Sequence, residues 1–255
     1  MKLMEKFESA QAQTWWLPKS VVIHEGPDHC FYDHGGRFNI VRFTSSAENL
    51  ESRLKQILEV AGEAPVQFTF LPHCHDEGVL AALQSAGFVP GHRHEARVIH
   101  VDQYGRVPSA DIRVVMVKTF EDMKRVYSVR NKAFGEKAEE SDENLRLYFE
   151  AASGDNARVR QFLAVDAHSG EPMSQAAMSL YPGLGFSFLF AGGTIESARA
   201  KGAYTALVAA RVAYARSIGI EHVGLFAREE TSAPIVAQQG FEHCGEMHYW
   251  VLNGV

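Results

Sequence analysis

Apolar and polar positions follow two regular spacings in the last third of the chain. Residues 186–191 form an apolar run typical of a buried strand. After a turn of small residues, apolar positions recur at helical spacing up to Gly219, a typical helix-terminating residue. The pattern predicts a strand, a long helix, a strand, a short helix closed by Gly240-Phe241 and a last strand, over 186–191, 206–218, 221–227, 231–239 and 243–252.

The same order of elements is predicted earlier in the chain. A helix with an apolar stripe ends at Gly62, and a strand, a second helix and a last strand follow over 66–71, 76–85 and 95–101. Gly87-Phe88 closes the second helix as Gly240-Phe241 closes its counterpart. The pattern therefore indicates an internal repeat.

Between the two repeats, the spacing predicts a strand, two helices and a hairpin. Thr119 and Ser141 are typical N-cap residues and precede the helices. These elements are predicted over 112–118, 121–134, 144–152, 161–166 and 174–181.

The turn before the long helix has the composition of an anion site. The first N–H groups of a helix have no partner within the helix, and the helix dipole adds partial positive charge there. Arg199 and Lys201 add full charges, while Ala200, Gly202 and Ala203 let a ligand oxygen approach the backbone. A pyrophosphate fits this pattern, although an ordinary strand–turn–helix has similar residues.

Residues 112–252 resemble a GCN5-related N-acetyltransferase (GNAT) domain. Arg199-Ala-Lys-Gly202-Ala-Tyr204 is similar to the family's Q/R-x-x-G-x-G/A pyrophosphate turn, with Tyr204 where Gly or Ala is usual. The resemblance implies an α/β GNAT fold with a mixed, mostly antiparallel sheet flanked by helices. It also implies acetyl-CoA as the donor. The residues implied to bind coenzyme A are Gly193, Thr194, Ile195, Arg199, Ala200, Lys201, Gly202, Ala203, Tyr204 and Thr205.

The N-terminal repeat resembles a degenerate GNAT half. Its counterpart of the phosphate turn, residues 44–50, is acidic and lacks Gly, so no coenzyme A is expected there. We expect the N-terminal repeat to pair with the C-terminal domain, to extend the sheet or to form one wall of the acceptor pocket. The predicted domains are 1–103, a linker over 104–111 and an acetyl-CoA-binding GNAT domain over 112–255.

Acetyl transfer needs an oxyanion donor, a base and an acid. The resemblance implies the backbone N–H of Ile195 as the oxyanion donor. Glu196 is a candidate base, or alternatively a carboxylate that stabilises the helix dipole. The family's usual acid, a tyrosine, is replaced by Val236, so Ser232, Tyr249 or water are the candidates.

The predicted reaction is acetylation of a small primary amine by direct attack. A longer acyl group, a hydroxyl or thiol acceptor, and an inactive acyl-CoA sensor or scaffold remain alternatives. The acidic segment 135–142 is either an acceptor-facing loop, which would favour a cationic acceptor, or a solvated loop.

Composition excludes several other classes. A net charge of −6 argues against nucleic-acid binding through bulk electrostatics. No apolar run is long enough for a membrane span and the N-terminus lacks a signal-peptide core, which predicts a cytoplasmic protein. The histidines, including His73 and His75 beside Cys74, lack zinc-site spacing, so no metal is expected. Oligomeric state stays open, a homodimer included.

Overall fold

Strands and helices alternate through both halves of the chain. The computed structural model describes residues 3–11, 13, 15, 21–26, 29–33, 37–43, 50–70, 77–135, 140–154 and 157–252. The helices are α1 (Leu3–Gln11), α2 (Leu50–Ala61), α3 (Glu77–Ser85), α4 (Phe120–Phe134), α5 (Asp142–Ser153), α6 (Ala203–Ser217) and α7 (Ser232–Gln238). The strands are β1 (Ile23–Glu25), β2 (His29–Asp33), β3 (Phe38–Phe43), β4 (Val66–Phe70), β5 (Val89–His100), β6 (Ile112–Met116), β7 (Val159–Asp166), β8 (Pro172–Tyr181), β9 (Phe186–Thr194), β10 (His222–Arg228) and β11 (Glu242–Leu252).

The chain divides into two compact units that are discontinuous in sequence. The first contains Met1–Ala96, Ala227–Ala233 and His243–Val255, and the second contains Arg97–Phe226 and Pro234–Glu242. The linker predicted over 104–111 lies within the second unit. Each unit therefore includes a segment from the other half of the sequence.

In the second unit, neighbouring strands follow the order β10-β9-β8-β7-β6. The pairs β6–β7, β7–β8 and β8–β9 are antiparallel, whereas β9 and β10 are parallel. A buried cluster joins α4 and α5 to β7, with Met123, Val126 and Leu163 among its members. This mixed and mostly antiparallel sheet with flanking helices confirms the predicted fold class.

The predicted caps hold the helices of this unit. Thr119 Oγ1 accepts a hydrogen bond from the Asp122 N–H at 3.1 Å, and Asp122 Oδ2 accepts one from the Thr119 N–H at 3.2 Å. This reciprocal capping box fixes the start of α4. Ser141 Oγ accepts from the Asn144 N–H at 3.2 Å and caps α5.

In the first unit, neighbouring strands follow the order β1-β2-β3-β4-β11. The last strand of the chain, β11, is antiparallel to β4, with Trp250 opposite Phe68. Both side chains are buried, so β11 completes the core of this unit.

Corresponding helix ends support the internal repeat. Gly87 has φ 86° and the Phe88 N–H donates to the Leu83 carbonyl at 2.9 Å. Gly240 has φ 92° and the Phe241 N–H donates to the Val236 carbonyl at 3.1 Å. Both helices thus end in the same left-handed glycine turn.

β5 and β9 are longer than predicted. β5 starts at Val89, ahead of the predicted Glu95, because the polar run from His92 to Glu95 hides the alternation. None of the described helices has the length and apolar character needed to cross a membrane.

Candidate functional site

The central strands β9 and β10 separate part-way along their length. Phe186 of β9 pairs with His222 of β10, and the pairing continues as far as Phe188 and Gly224. Beyond these two residues, the described part of the chain has no further pairs between β9 and β10. β9 nevertheless continues to Thr194. The gap leaves Phe190 37% exposed although β9 lies between two other strands.

A β-bulge bends β9 beside this gap. Phe190 lies opposite Ala177 and Gly193 opposite Gln175, so Ala191 and Gly192 together face the single residue between them. Ala191 has φ 50°, which is rare for a residue with a side chain. The bulge therefore displaces the strand at the mouth of the gap.

Buried polar side chains of β8 fix the bulge. Gln175 is 1% exposed, and its Nε2 donates to the Ala191 carbonyl at 2.7 Å. Ser174 Oγ donates to the Gly193 carbonyl at 2.9 Å and lies 2.8 Å from Thr194 Oγ1. Neither residue is predicted from the sequence as part of the site. Their signal is a pair of adjacent polar residues inside a mostly apolar strand.

The turn after β9 presents unpaired N–H groups. Ala200 and Gly202 have φ 61° and 86°, and α6 begins without a side-chain cap. None of the described residues accepts a hydrogen bond from the N–H groups of Ala200, Gly202, Ala203, Tyr204 or Thr205. Arg199, Ala200, Lys201 and Gly202 are exposed. The turn thus has the free donors, positive charge and open approach that a phosphate needs.

The N–H of Ile195, the predicted oxyanion donor, already donates a hydrogen bond within the sheet. The N–H of Ile195 donates to the Met173 carbonyl at 3.0 Å, because the ladder between β8 and β9 extends past Thr194. That N–H is consequently engaged within the sheet. The side chain of Ile195 packs against the cluster formed by α4 and α5.

The other predicted catalytic residues occupy separate places. Glu196 is exposed and starts the short 3-10 turn Glu196–Ala198. Ser232 lies in the first unit, where its Oγ accepts from the Arg228 N–H at 2.8 Å. Tyr249 is also in the first unit and its ring is edge-on to His94, with centroids 5.2 Å apart. The catalytic roles of these residues stay predictions.

The ring of Tyr204 lies beside Gly192 in the bulge of β9. A Cβ built on Gly192 would lie 2.9 Å from Tyr204 Cε2, so the ring covers the bulge. Burial raises the pKa of the Tyr204 hydroxyl, and the nearby Arg211 opposes that rise. The exposed Ala200 and Gly202 keep the backbone of the turn accessible, although Tyr204 stands where the resemblance implies Gly or Ala.

Arg211 is a buried cation on the same helix. It is 1% exposed, and its Nε and one terminal nitrogen donate to the carbonyls of Leu207 and Ala177 at 3.0 and 2.9 Å. Burial lowers the pKa of Arg211 to about 10, while Tyr204 and Tyr104 act to raise it. No carboxylate pairs with Arg211 among the described residues.

The first turn of α6 is tied to the end of α7. Gln239 Nε2 donates to Thr205 Oγ1 at 3.4 Å, and Tyr104 donates its hydroxyl proton to Gln239 Oε1 at 2.7 Å. Gln239 is buried. The predicted cofactor residue Thr205 is held by contacts that the sequence did not suggest.

α4 borders the opposite face of the bulge. A Cβ on Gly193 would lie 3.0 Å from Ala133 Cβ and 3.1 Å from Phe134 Cζ. Of the predicted acceptor loop, residues 136–139 lie outside the described part. Glu140 acts electrostatically on Tyr127 and Tyr148, and burial raises the pKa of Tyr127 to about 12.

Metal-binding groupings are absent from the described ranges, where no three His, Cys, Asp or Glu side chains cluster suitably. The segment from His73 to Asp76 lies outside them.

No protein-family model matches the sequence, and no curated protein does. Solved structures do match. A GCN5-related N-acetyltransferase from Kribbella flavida is 17% identical, with a TM-score of 0.70 over 100% of this chain and 97% of that one. Another from Sphaerobacter thermophilus is 15% identical, with a TM-score of 0.69 over 88% and 76%. A tandem GNAT protein from the clavulanic acid biosynthesis pathway is 13% identical, with a TM-score of 0.62 over 92% and 84%.

These similarities show that the chain has the fold of GCN5-related N-acetyltransferases, in agreement with the resemblance seen in its sequence. One similar structure is a tandem GNAT, which agrees with the internal repeat. At such low identity the fold does not define the acceptor.

Proposed function

We propose that this chain is an acetyl-CoA-dependent N-acyltransferase that acetylates the primary amine of a small molecule in the cytoplasm. The observation that carries the proposal is the turn from Arg199 to Thr205, in which the N–H groups of Ala200 and of Gly202 to Thr205 have no acceptor among the described residues. It directly follows the strand that separates from β10.

Different residues of the second unit are proposed to perform the different steps of this reaction. The free N–H groups of the turn would bind the diphosphate, with Arg199 and Lys201 beside them. Acetyl-CoA would supply an activated thioester. Since the N–H of Ile195 is engaged, the edge of β9 beyond Phe188 replaces it as the proposed source of oxyanion donors. Glu196 is the proposed acceptor of the amine proton, through water.

Calorimetry with acetyl-CoA tests the binding step. Gly202→Glu places a carboxylate where the diphosphate would lie, so affinity should fall at least about 100-fold, the scale of losing several charge-assisted hydrogen bonds. Gly219→Glu is the matched control. Gly219 has φ 77° and open surroundings at the other end of α6, so it carries similar backbone strain. If Gly202→Glu and Gly219→Glu bind acetyl-CoA with equal affinity, the phosphate site does not lie at this turn.

Thiol release with a panel of amines then tests turnover. Release of CoA that depends on the amine supports the transferase. Tight binding of acetyl-CoA without release above background hydrolysis would identify a sensor or scaffold instead. Faster turnover of a longer acyl-CoA would identify that acyl-CoA, and not acetyl-CoA, as the donor. Transfer only to a hydroxyl or thiol would contradict the proposed amine acceptor.

A further inference from the structure

A proton donor assists departure of the thiolate, and α7 supplies none at the position that the resemblance implies. Val236 is fully buried and has no proton to give. The inference below rests on the proposed acyl transfer and concerns the group that fills this gap.

Tyr204 brings a hydroxyl to the bulge from the neighbouring helix α6. Its Cε2 atom is bonded to the ring carbon that bears the hydroxyl. A Cβ built on Gly192 would lie 2.9 Å from this Cε2 atom. Gly192 lies where β9 has already separated from β10. The tyrosine ring therefore borders the gap in which we place the thioester.

The hydroxyl of Tyr204 is available. Among the described residues it has no hydrogen-bond partner, and the side chain is half-buried. Other tyrosines of this unit are engaged: Tyr104 donates to Gln239, and the hydroxyl of Tyr214 accepts a hydrogen bond from Arg160. A tyrosine hydroxyl without a protein partner is suited to a ligand.

The positively charged side chain of Arg211 acts electrostatically on the Tyr204 hydroxyl. Arg211 lies seven positions further along α6, on the same helical face, and acts electrostatically on Tyr204. Tyr104 is the other titratable group that acts on Arg211. Since no carboxylate among the described residues neutralises Arg211, its charge stabilises negative charge as it develops on the tyrosine oxygen.

We propose that Tyr204 is the catalytic proton donor to the leaving thiolate. The amine nitrogen forms the new bond to the carbonyl carbon, the C–S bond breaks, and its electron pair stays on sulfur. The Tyr204 O–H passes its proton to that sulfur. The proton lost by the amine goes to water near Glu196, and solvent returns one to the tyrosine oxygen, so the products are an amide and free CoA.

Tyr204→Phe tests this role because it removes only the oxygen. We expect kcat with the best amine to fall about 100-fold, the low end for a general acid. The dissociation constant for acetyl-CoA should change less than about two-fold, since the ring and the turn N–H groups remain. Tyr204 stays protonated at neutral pH, so the ratio of the two kcat values should be constant from about pH 6.5 to 9.

Tyr214→Phe is the matched control. It makes the same change on α6, at a hydroxyl that Arg160 contacts at 3.0 Å. We expect lower stability at most, with kcat unchanged.

Calorimetry with CoA and desulfo-CoA gives a readout that does not depend on turnover. If the hydroxyl meets sulfur, Tyr204→Phe weakens binding of CoA and leaves binding of desulfo-CoA unchanged. Equal losses for both ligands, or an unchanged kcat, would overturn the inference and assign Tyr204 a packing role. Absence of turnover in the wild-type protein would instead overturn the proposed function, and the catalytic role with it.

Discussion

Gly192 and Gly193 are adjacent in β9, yet their missing side chains would meet different elements. A Cβ on Gly192 would meet the Tyr204 ring of α6, whereas one on Gly193 would meet Ala133 and Phe134 of α4. Successive residues of a strand point to opposite faces of the sheet, so the bulge is enclosed from both sides. At both positions an added Cβ would crowd a neighbouring side chain, so glycine fits the available space.

Gly192→Ala is expected to force the Tyr204 ring off the bulge. The built contact of 2.9 Å is shorter than real Cβ contacts allow. The substitution should cost about 1 to 3 kcal/mol of unfolding free energy, as overpacking does. In a Tyr204→Ala background the same substitution should cost less than about 0.5 kcal/mol, because the clash is gone. Denaturant unfolding of the four proteins of this cycle measures both costs, and equal costs would contradict the contact.

At the scale of elements, the bulge depends on two strands at once. Ala191 and Gly192 supply the extra backbone, but Gln175 and Ser174 of β8 hold the carbonyls that it displaces. Because these buried donors are specific to the bulge, they connect the stability of the sheet to the shape of the gap.

Gln175→Leu should therefore reduce both stability and acetyl-CoA affinity. It leaves the Ala191 carbonyl without its donor, which costs about 1 to 3 kcal/mol. Ser187→Ala is the control. Ser187 is fully buried on β9, the strand that carries the bulge, and donates to the Ser179 carbonyl of β8 at 2.9 Å, away from the bulge. Thermal unfolding should show losses in both variants, whereas calorimetry should show weaker acetyl-CoA binding only in Gln175→Leu. Weaker binding in both would mean that general loosening is responsible.

Elements defined by local signals could be predicted from the sequence. The capping residues Thr119 and Ser141 and the glycine turns at Gly87 and Gly240 act within a few residues, and each is present. The free N–H groups of Gly202 to Thr205 also follow from a local rule about helix starts.

Features that depend on distant partners could not be predicted in this way. The sequence does not indicate that the N–H of Ile195 is hydrogen-bonded, because its acceptor, the Met173 carbonyl, lies on another strand. The direction of Tyr204 depends on the space above Gly192. Gln239 reaches Thr205 only because α7 ends beside α6. None of these pairings leaves a periodic signal in the sequence.

At the scale of the whole chain, each unit contains a strand segment from the other half of the sequence. β11 pairs with β4 in the first unit. The end of β5 belongs to the second unit, where an Arg97 guanidinium nitrogen donates to the Phe241 carbonyl at 2.9 Å and the Val101 N–H donates to the Glu221 carbonyl at 2.9 Å. A cut between the two halves of the sequence would thus remove β11 from the first unit and the end of β5 from the second.

Separate expression of 1–111 and 112–255 tests this exchange. Without β11, the first fragment would leave β4 as an exposed edge and would uncover Phe68, which is 0% exposed in the whole chain. We expect neither fragment alone to show a cooperative thermal transition by circular dichroism. Mixing them should restore both a cooperative transition and acetyl-CoA binding, because each unit then regains its missing segment. If 112–255 alone unfolds cooperatively and binds acetyl-CoA with the affinity of the full chain, the linear domain division predicted from the sequence is the better description.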